Sequence, residues 1–357
     1  MDPNRFNRFL ALEAKQPRQW AALAQARAAA IEVTSEIQSA IKSEVDLVSS
    51  DATVVLYGSL ARGEWTTGSD VDWALLVDGQ SDPDHHDCLH AIPNALDTIQ
   101  YQGRALVPPG SSGTFGQLVF SHDLVHSVGG ESDTNQNTTR RILLLLESIA
   151  LDEPNGAYRR TLRSVLRRYL LDDVRIASGA ENSPRIPRFL LNDIVRFWRT
   201  LCVDFGTKHW QQSGKKWALR NIKLRTSRKL LFVSGLLMAF SCDRIEGGPS
   251  AGVEEILARL TEYAELPPLE IIAHELTDLG LEKQAVDLFT LYDTFLAYLN
   301  DKGKRQALES VQPQQAYKDA VFSEFRDLSH ELQEVLTNIF FDSQSPLRHL
   351  TLKYGVF

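Results

Sequence analysis

Residues 52–77 read ATVVLYGSLARGEWTTGSDVDWALLV. Ala52–Tyr57 is a short run rich in β-branched residues that stops at a glycine, and Val71–Val77 is a second apolar run. Each fits a strand, and the Gly-, Ser- and Thr-bearing segment between them fits a turn with a short helix. Residues two apart on a strand face the same way, so Asp70 and Asp72 present both carboxylates to one side. Hard oxygen ligands suit magnesium, with manganese as the alternative. Magnesium keeps several waters and takes substrate phosphates as further ligands, so it needs few carboxylates. Gly58 and Ser59 close the first strand and open the short helix, where N–H groups without intrahelical partners can receive phosphate oxygens. Gly58 lets the backbone come close, and Ser59 adds a hydroxyl donor. Arg62, one turn on, either reaches the same anion or lies on the solvated side.

Working outward, residues 4–49 are rich in Ala, Leu, Gln and Glu at helical spacing, which predicts one or two helices in a lead-in over residues 1–50. On the other side, SDPDHHDCLHAIPNALDTIQ predicts a helix that starts near Asp82 or Asp84. Its His85, His86 and His90 beside Asp82, Asp84 and Asp87 are metal-ligating types, but a loop running into a helix explains them better. RALVPPGSSGTFG reads as a loop, Gln117–Val125 as a further strand, and Thr138–Ala150 as a helix capped from the polar run SDTNQNTT. From Tyr158 onward the pattern is helical. The expected organisation is a catalytic domain over 51–150 and a helical domain over 151–357, an α+β chain.

A length of 357 residues points to two packed units or one large composite one. With 43% hydrophobic and 24% charged residues, disordered and fibrous classes are excluded. The longest apolar run, Leu230–Phe240, is too short to cross a membrane. The charged N-terminus lacks a secretory core, so a cytoplasmic protein without a membrane partner is expected. Cys88, Cys202 and Cys242 are scattered and odd in number, which argues against a disulfide framework or a zinc site. Net charge is −8, yet Arg159–Lys229 holds 18 Lys and Arg against 5 Asp and Glu. Such a segment suggests a localised anion site for a triphosphate, a nucleic acid or an acidic partner. Within it Arg196 and Arg199 are helix neighbours, and Lys215, Lys216, Arg220, Lys223, Arg225, Arg228 and Lys229 follow closely. Phe197, Trp198, Trp210 and Trp217 interleave with them and could stack a base, although core packing is the commoner use. The acidic whole-chain charge weakens a general nucleic-acid-binding reading.

A strand, Gly-Ser, nine residues containing Ala-Arg-Gly-Glu, then Ser-Asp-Val-Asp entering an apolar strand resembles the signature of the DNA polymerase beta-like nucleotidyltransferase superfamily. The resemblance covers about residues 54–77. It implies a small mixed sheet flanked by helices, followed by a helical domain that closes over the nucleotide. It also implies that Gly58 and Ser59 hold nucleotide phosphates, with Arg62 beside them, and that Asp70 and Asp72 are catalytic metal ligands. Lys223, Arg228 and Lys229 would be the helical domain's contribution to the triphosphate. The family commonly adds a third carboxylate on a later strand near the acceptor hydroxyl. Asp123 is the first choice and Asp133 the second, with His122 or His126 nearby. The implied reaction is two-metal transfer of a nucleoside monophosphate from an NTP, ATP among the four, to a hydroxyl of a protein, an RNA or a small molecule, with release of pyrophosphate. The alternative is a catalytically silent, nucleotide-binding regulatory protein. More distantly, the order of parts is similar to bacterial protein uridylyltransferases, without their hydrolase or ligand-sensing parts. Oligomeric state is left open.

Overall fold

The computed structural model describes residues 3–17, 19–44, 51–110, 113–151, 156–173, 176, 185–211, 216–245 and 252–355. Lys215 and the side chain of Trp210 lie outside the described residues. The chain is α+β and divides into two compact units. The first comprises residues 1–5, 26–190 and 242–267; the second comprises 6–25, 191–241 and 268–357.

The first unit is built on a four-stranded mixed sheet in the order β5-β2-β1-β6, where β1 is Ala52–Tyr57, β2 Asp72–Val77, β5 Gln117–Phe120 and β6 Ser148–Ala150. A separate hairpin pairs β3 (Gln100–Tyr101) with β4 (Arg104–Ala105). Positive φ at its two turn residues, Gln102 and Gly103, matches the twist of the flanking strands. β1 runs antiparallel to both β2 and β6, while β2 and β5 are parallel. Every residue of β1 is buried, because both faces of the central strands are covered; this is why the run is apolar throughout and does not alternate.

One face of the sheet packs Val54, Leu56, Trp73, Leu75 and Val77 against Val33, Ile37 and Ile41 of the helix Ala21–Glu44 and Ile92 and Leu96 of the helix Asp84–Asp97. The helix Ala157–Asp172 packs on β1 and β2, and the helix Asn135–Leu146 packs on β6. Thr134 caps the latter, its hydroxyl accepting from the Asn137 N–H at 3.1 Å. His85 is buried at the start of Asp84–Asp97, its Nδ1 3.3 Å from the Asp82 backbone N–H. Among the described residues no group of three or more His, Cys, Asp and Glu could hold a metal ion.

Two expectations are corrected here. The strand read over Gln117–Val125 ends at Phe120, and Ser121–His126 is a helix, since Ser, His and Asp pair poorly in a ladder. The helix read over Thr138–Ala150 covers Asn135–Leu146 and ends at Glu147; Ser148–Ala150 then becomes β6, because pairing with β1 overrides the local helical pattern.

The second unit is helical. Its helix Ser227–Ser241 packs on Pro268–Asp278, and Glu282–Asn300 packs on Ala320–Phe341. Phe9, Trp20 and Phe289 form an aromatic cluster with ring centroids 5.0–5.5 Å apart. Glu270 accepts the backbone N–H groups of Arg8 and Phe9 at 2.7 and 2.9 Å, and so satisfies donors at the start of the helix Asn7–Ala14. No described helix is long and apolar enough to cross a membrane.

Candidate active site

β1 ends at Tyr57 and the chain turns at Gly58, whose φ of +70° is a left-handed conformation that a residue with a Cβ adopts only at a cost. A second constraint acts at the same atom. A Cβ on Gly58 would stand 3.0 Å from Oδ2 of Asp72, so the missing side chain is also what lets the Asp72 carboxylate lie against the turn. Register explains the proximity: Tyr57 lies directly across from Asp72 in the antiparallel ladder.

The helix that Gly58 opens, Gly58–Ala61, is a single turn. Its dipole is therefore small, and what it offers an anion is its local N–H groups together with the half-buried Ser59 hydroxyl. Gly63 stops it with φ +72°. The Gly63 N–H donates to the Leu60 carbonyl at 3.1 Å and the Glu64 N–H to the Ser59 carbonyl at 2.8 Å, a Schellman pair that satisfies the last carbonyls. Thr66 and Ser69 then close a turn through the Ser69 N–H to the Thr66 carbonyl at 2.8 Å. Asp70 follows in a parallel bridge to Val107, and the Val71 N–H donates to the Val107 carbonyl at 2.8 Å. Val71 points into the core, so alternation places Asp70 and Asp72 on the opposite face. Asp70 is exposed and Asp72 half-buried.

Arg62 is not extended toward an anion site. It is buried; its Nε donates to Glu64 Oε2 at 2.8 Å and its Nη1 to Glu147. Glu147 immediately precedes Ser148, which pairs with Tyr57. Arg62 thus ties the segment after the Gly58 turn to the start of β6.

The two candidates for a third carboxylate, Asp123 and Asp133, differ in their surroundings. Asp123 sits in the first turn of the helix after β5, with its side chain 59% exposed and 3.9 Å from Nδ1 of His122. β5 ends with Phe120 opposite Val77, the far end of β2 from Asp72. The His122 ring lies against that of His126, centroids 4.6 Å apart. Asp133 is buried and occupied by the Arg141 guanidinium at 2.9 and 2.8 Å and by the Gly129 N–H at 3.1 Å. The strand beside β2 instead carries Gln117, paired with Ala74 and therefore on the same face as Asp72.

One group that sequence reasoning missed lies over this face. Arg140, on Asn135–Leu146, bonds to the Gln117 Oε1 at 2.9 Å, the Gly113 carbonyl at 3.2 Å and the Thr114 carbonyl at 3.4 Å. Partial burial lowers its pKa below the usual arginine range, an effect that the nearby Tyr57 and Asp123 partly offset. Burial, with Tyr158 adding to it, holds the Tyr57 hydroxyl pKa well above its ordinary value. The Tyr57 ring packs on Phe115 at 5.4 Å.

Lys223, Arg228 and Lys229 belong to the second unit, Lys223 on Trp217–Arg225 and the other two on Ser227–Ser241. Lys229 donates to Gln333 Oε1 at 2.6 Å, and burial together with neighbouring Arg225 lowers its pKa.

The carboxylate pair fits magnesium by its chemistry: two hard ligands on one face, one exposed and one half-buried, leave the rest of the shell to water and substrate phosphates.

Residues 35–109 match the family model of the nucleotidyltransferase domain, consistent with the polymerase beta-like nucleotidyltransferase superfamily. The match takes in β1, the Gly58 turn and β2, and ends before β5 and β6. No curated protein matches the chain.

Proposed function

We propose that the chain transfers a nucleoside monophosphate from an NTP to an acceptor hydroxyl and releases pyrophosphate. The observation that carries this reading is the Gly58 turn lying against Asp72 within a segment that matches the nucleotidyltransferase domain. In the reaction the acceptor oxygen bonds to the α-phosphorus. The bond from that phosphorus to the β-phosphate oxygen breaks, its electron pair leaves with pyrophosphate, and the hydroxyl proton passes to solvent. Gly58 and Ser59 orient the phosphates through N–H and O–H donors, and Asp70 and Asp72 hold magnesium, which when bound neutralises phosphate charge and polarises the reacting oxygens.

One observation favours a silent, nucleotide-binding protein: β5 presents a neutral amide, Gln117, and an apolar Val119 on the face of Asp72, and no carboxylate. A single experiment separates the readings. Each α-labelled NTP is incubated with magnesium and cell extract, comparing wild type with Asp70→Ala/Asp72→Ala. Label moved to an acceptor by wild type alone is the expected result. Magnesium-dependent NTP binding without transfer, lost in the double variant, supports the silent reading, and absence of both sinks the assignment.

A further inference from the structure

β2 has two flanks. On one, β1 runs into the Gly58–Ser59 turn; on the other lies β5, with Gln117 and, above it, Arg140. Our functional reading, on which this inference rests, places the nucleotide phosphates at the turn. In-line displacement requires the acceptor to enter opposite the leaving pyrophosphate, so the β5 flank is the acceptor's side.

Among the described residues, that flank carries a cation without a bound counter-charge. Among the described residues the Arg140 guanidinium meets only neutral oxygens, namely two backbone carbonyls and the Gln117 amide, and its Nη1 makes no hydrogen bond. Asp123 acts on it through space but forms no ion pair with it. The next residue shows the contrast, since Arg141 is fully buried and saturated by Asp133 and by the Tyr169 hydroxyl at 3.0 Å. Three bonds hold Arg140 in place, and partial burial makes an unpaired charge costly, so an arriving anion would be bound by a pre-positioned group.

We infer that Arg140 is an acceptor-binding residue and that the acceptor is an anionic molecule, carrying a phosphate or carboxylate near the hydroxyl that is modified. The neutral Gln117 fits this role: a carboxylate there would neutralise Arg140, whereas an amide oxygen orients the guanidinium and leaves its charge for the substrate.

The test uses the full chain and inorganic phosphate as the probe, titrated calorimetrically against protein saturated with a non-hydrolysable NTP analogue and magnesium. Wild type, Arg140→Gln and Arg140→Lys are compared, with thermal melts confirming that each is folded. Loss of a charge-assisted contact corresponds to roughly tenfold to a hundredfold in affinity. Phosphate should bind wild type that much more tightly than Arg140→Gln, Arg140→Lys should retain most of the affinity, and analogue affinity should be the same in all three. The inference is overturned by equal phosphate affinity in wild type and Arg140→Gln, by no phosphate binding to wild type, or by phosphate that competes with the analogue. A weaker grip of Arg140→Gln on the analogue itself would also overturn it, by assigning Arg140 to the nucleotide. Failure of wild type to bind any magnesium-NTP has a different signature: it brings down nucleotidyl transfer, and the acceptor assignment falls with it.

Discussion

A methyl group at Gly58 would carry two separate costs. The first is the left-handed backbone, about 1–2 kcal/mol for an L-residue. The second is contact with the Asp72 carboxylate, which must shift to clear a Cβ 3.0 Å away. Gly103 supplies the control, because its φ is +71° and a Cβ there meets nothing within 4 Å. Gly103→Ala should therefore lose only the backbone contribution in denaturant unfolding, while Gly58→Ala should lose at least as much and also weaken magnesium-NTP binding. Equal unfolding losses with unchanged nucleotide binding in Gly58→Ala would show that the close approach to Asp72 has no functional consequence. The same residue scale shows where the sequence was readable. Gly58, Asp70 and Asp72 were legible because strand alternation and a glycine at a strand end fix geometry locally. Arg140 was not, since nothing in Thr-Thr-Arg-Arg tells that one arginine is sealed against Asp133 while its neighbour reaches a loop some 25 residues earlier.

Between elements, the buried group of Arg62, Glu64 and Glu147 decides how firmly the turn is held. Removing Arg62 takes a cation away from two buried carboxylates, and breaking a buried pair from one side costs about 3–5 kcal/mol. Glu64→Gln still leaves Arg62 paired with Glu147. Arg62→Met should accordingly lower the unfolding free energy by several kcal/mol and Glu64→Gln by distinctly less, read from chemical denaturation of each. The reverse order would mean that the arginine is a tolerated rather than a required charge. This tie was hidden from sequence reading for a structural reason: Glu147 comes next to Tyr57 only through β6, a three-residue strand whose apolar residues continue the helical run before it. β1 and β2 were legible because they are longer, β-branched or apolar throughout, and bounded by glycine or a polar turn. β5 was legible in place and overextended in length, because the residues that end it differ from it in ladder propensity and scarcely in polarity pattern.

For the whole molecule, the basic segment Arg159–Lys229 invites the picture of an anion-binding surface, yet several of its cations already have carboxylate partners. The segment is shared between the two units, with the division at Leu190. In the first unit several of its arginines are paired: Arg160 with Asp51 and Asp78, Arg167 with Glu254, and Arg188 with Asp173. In the second unit Arg196 lies 3.9 Å from Asp193 and Lys216 3.9 Å from Glu309. Trp198 stacks on Phe232 at 5.3 Å and Trp217 packs on Phe322 at 5.8 Å, so these rings already have partners of their own. Affinity for a nucleic-acid backbone depends on how many phosphates are neutralised together and falls steeply with salt. A chain of net charge −8, several of whose cations in this segment are held in ion pairs, offers few such contacts. Fluorescence anisotropy with labelled oligo(dT) and oligo(U) at physiological salt should accordingly give dissociation constants no tighter than the nonspecific range of about 10⁻⁴–10⁻⁶ M. Nanomolar binding that weakens steeply with added salt would mean that the paired cations rearrange onto a polyanion, and the acceptor would then be sought among nucleic acids before small anionic molecules.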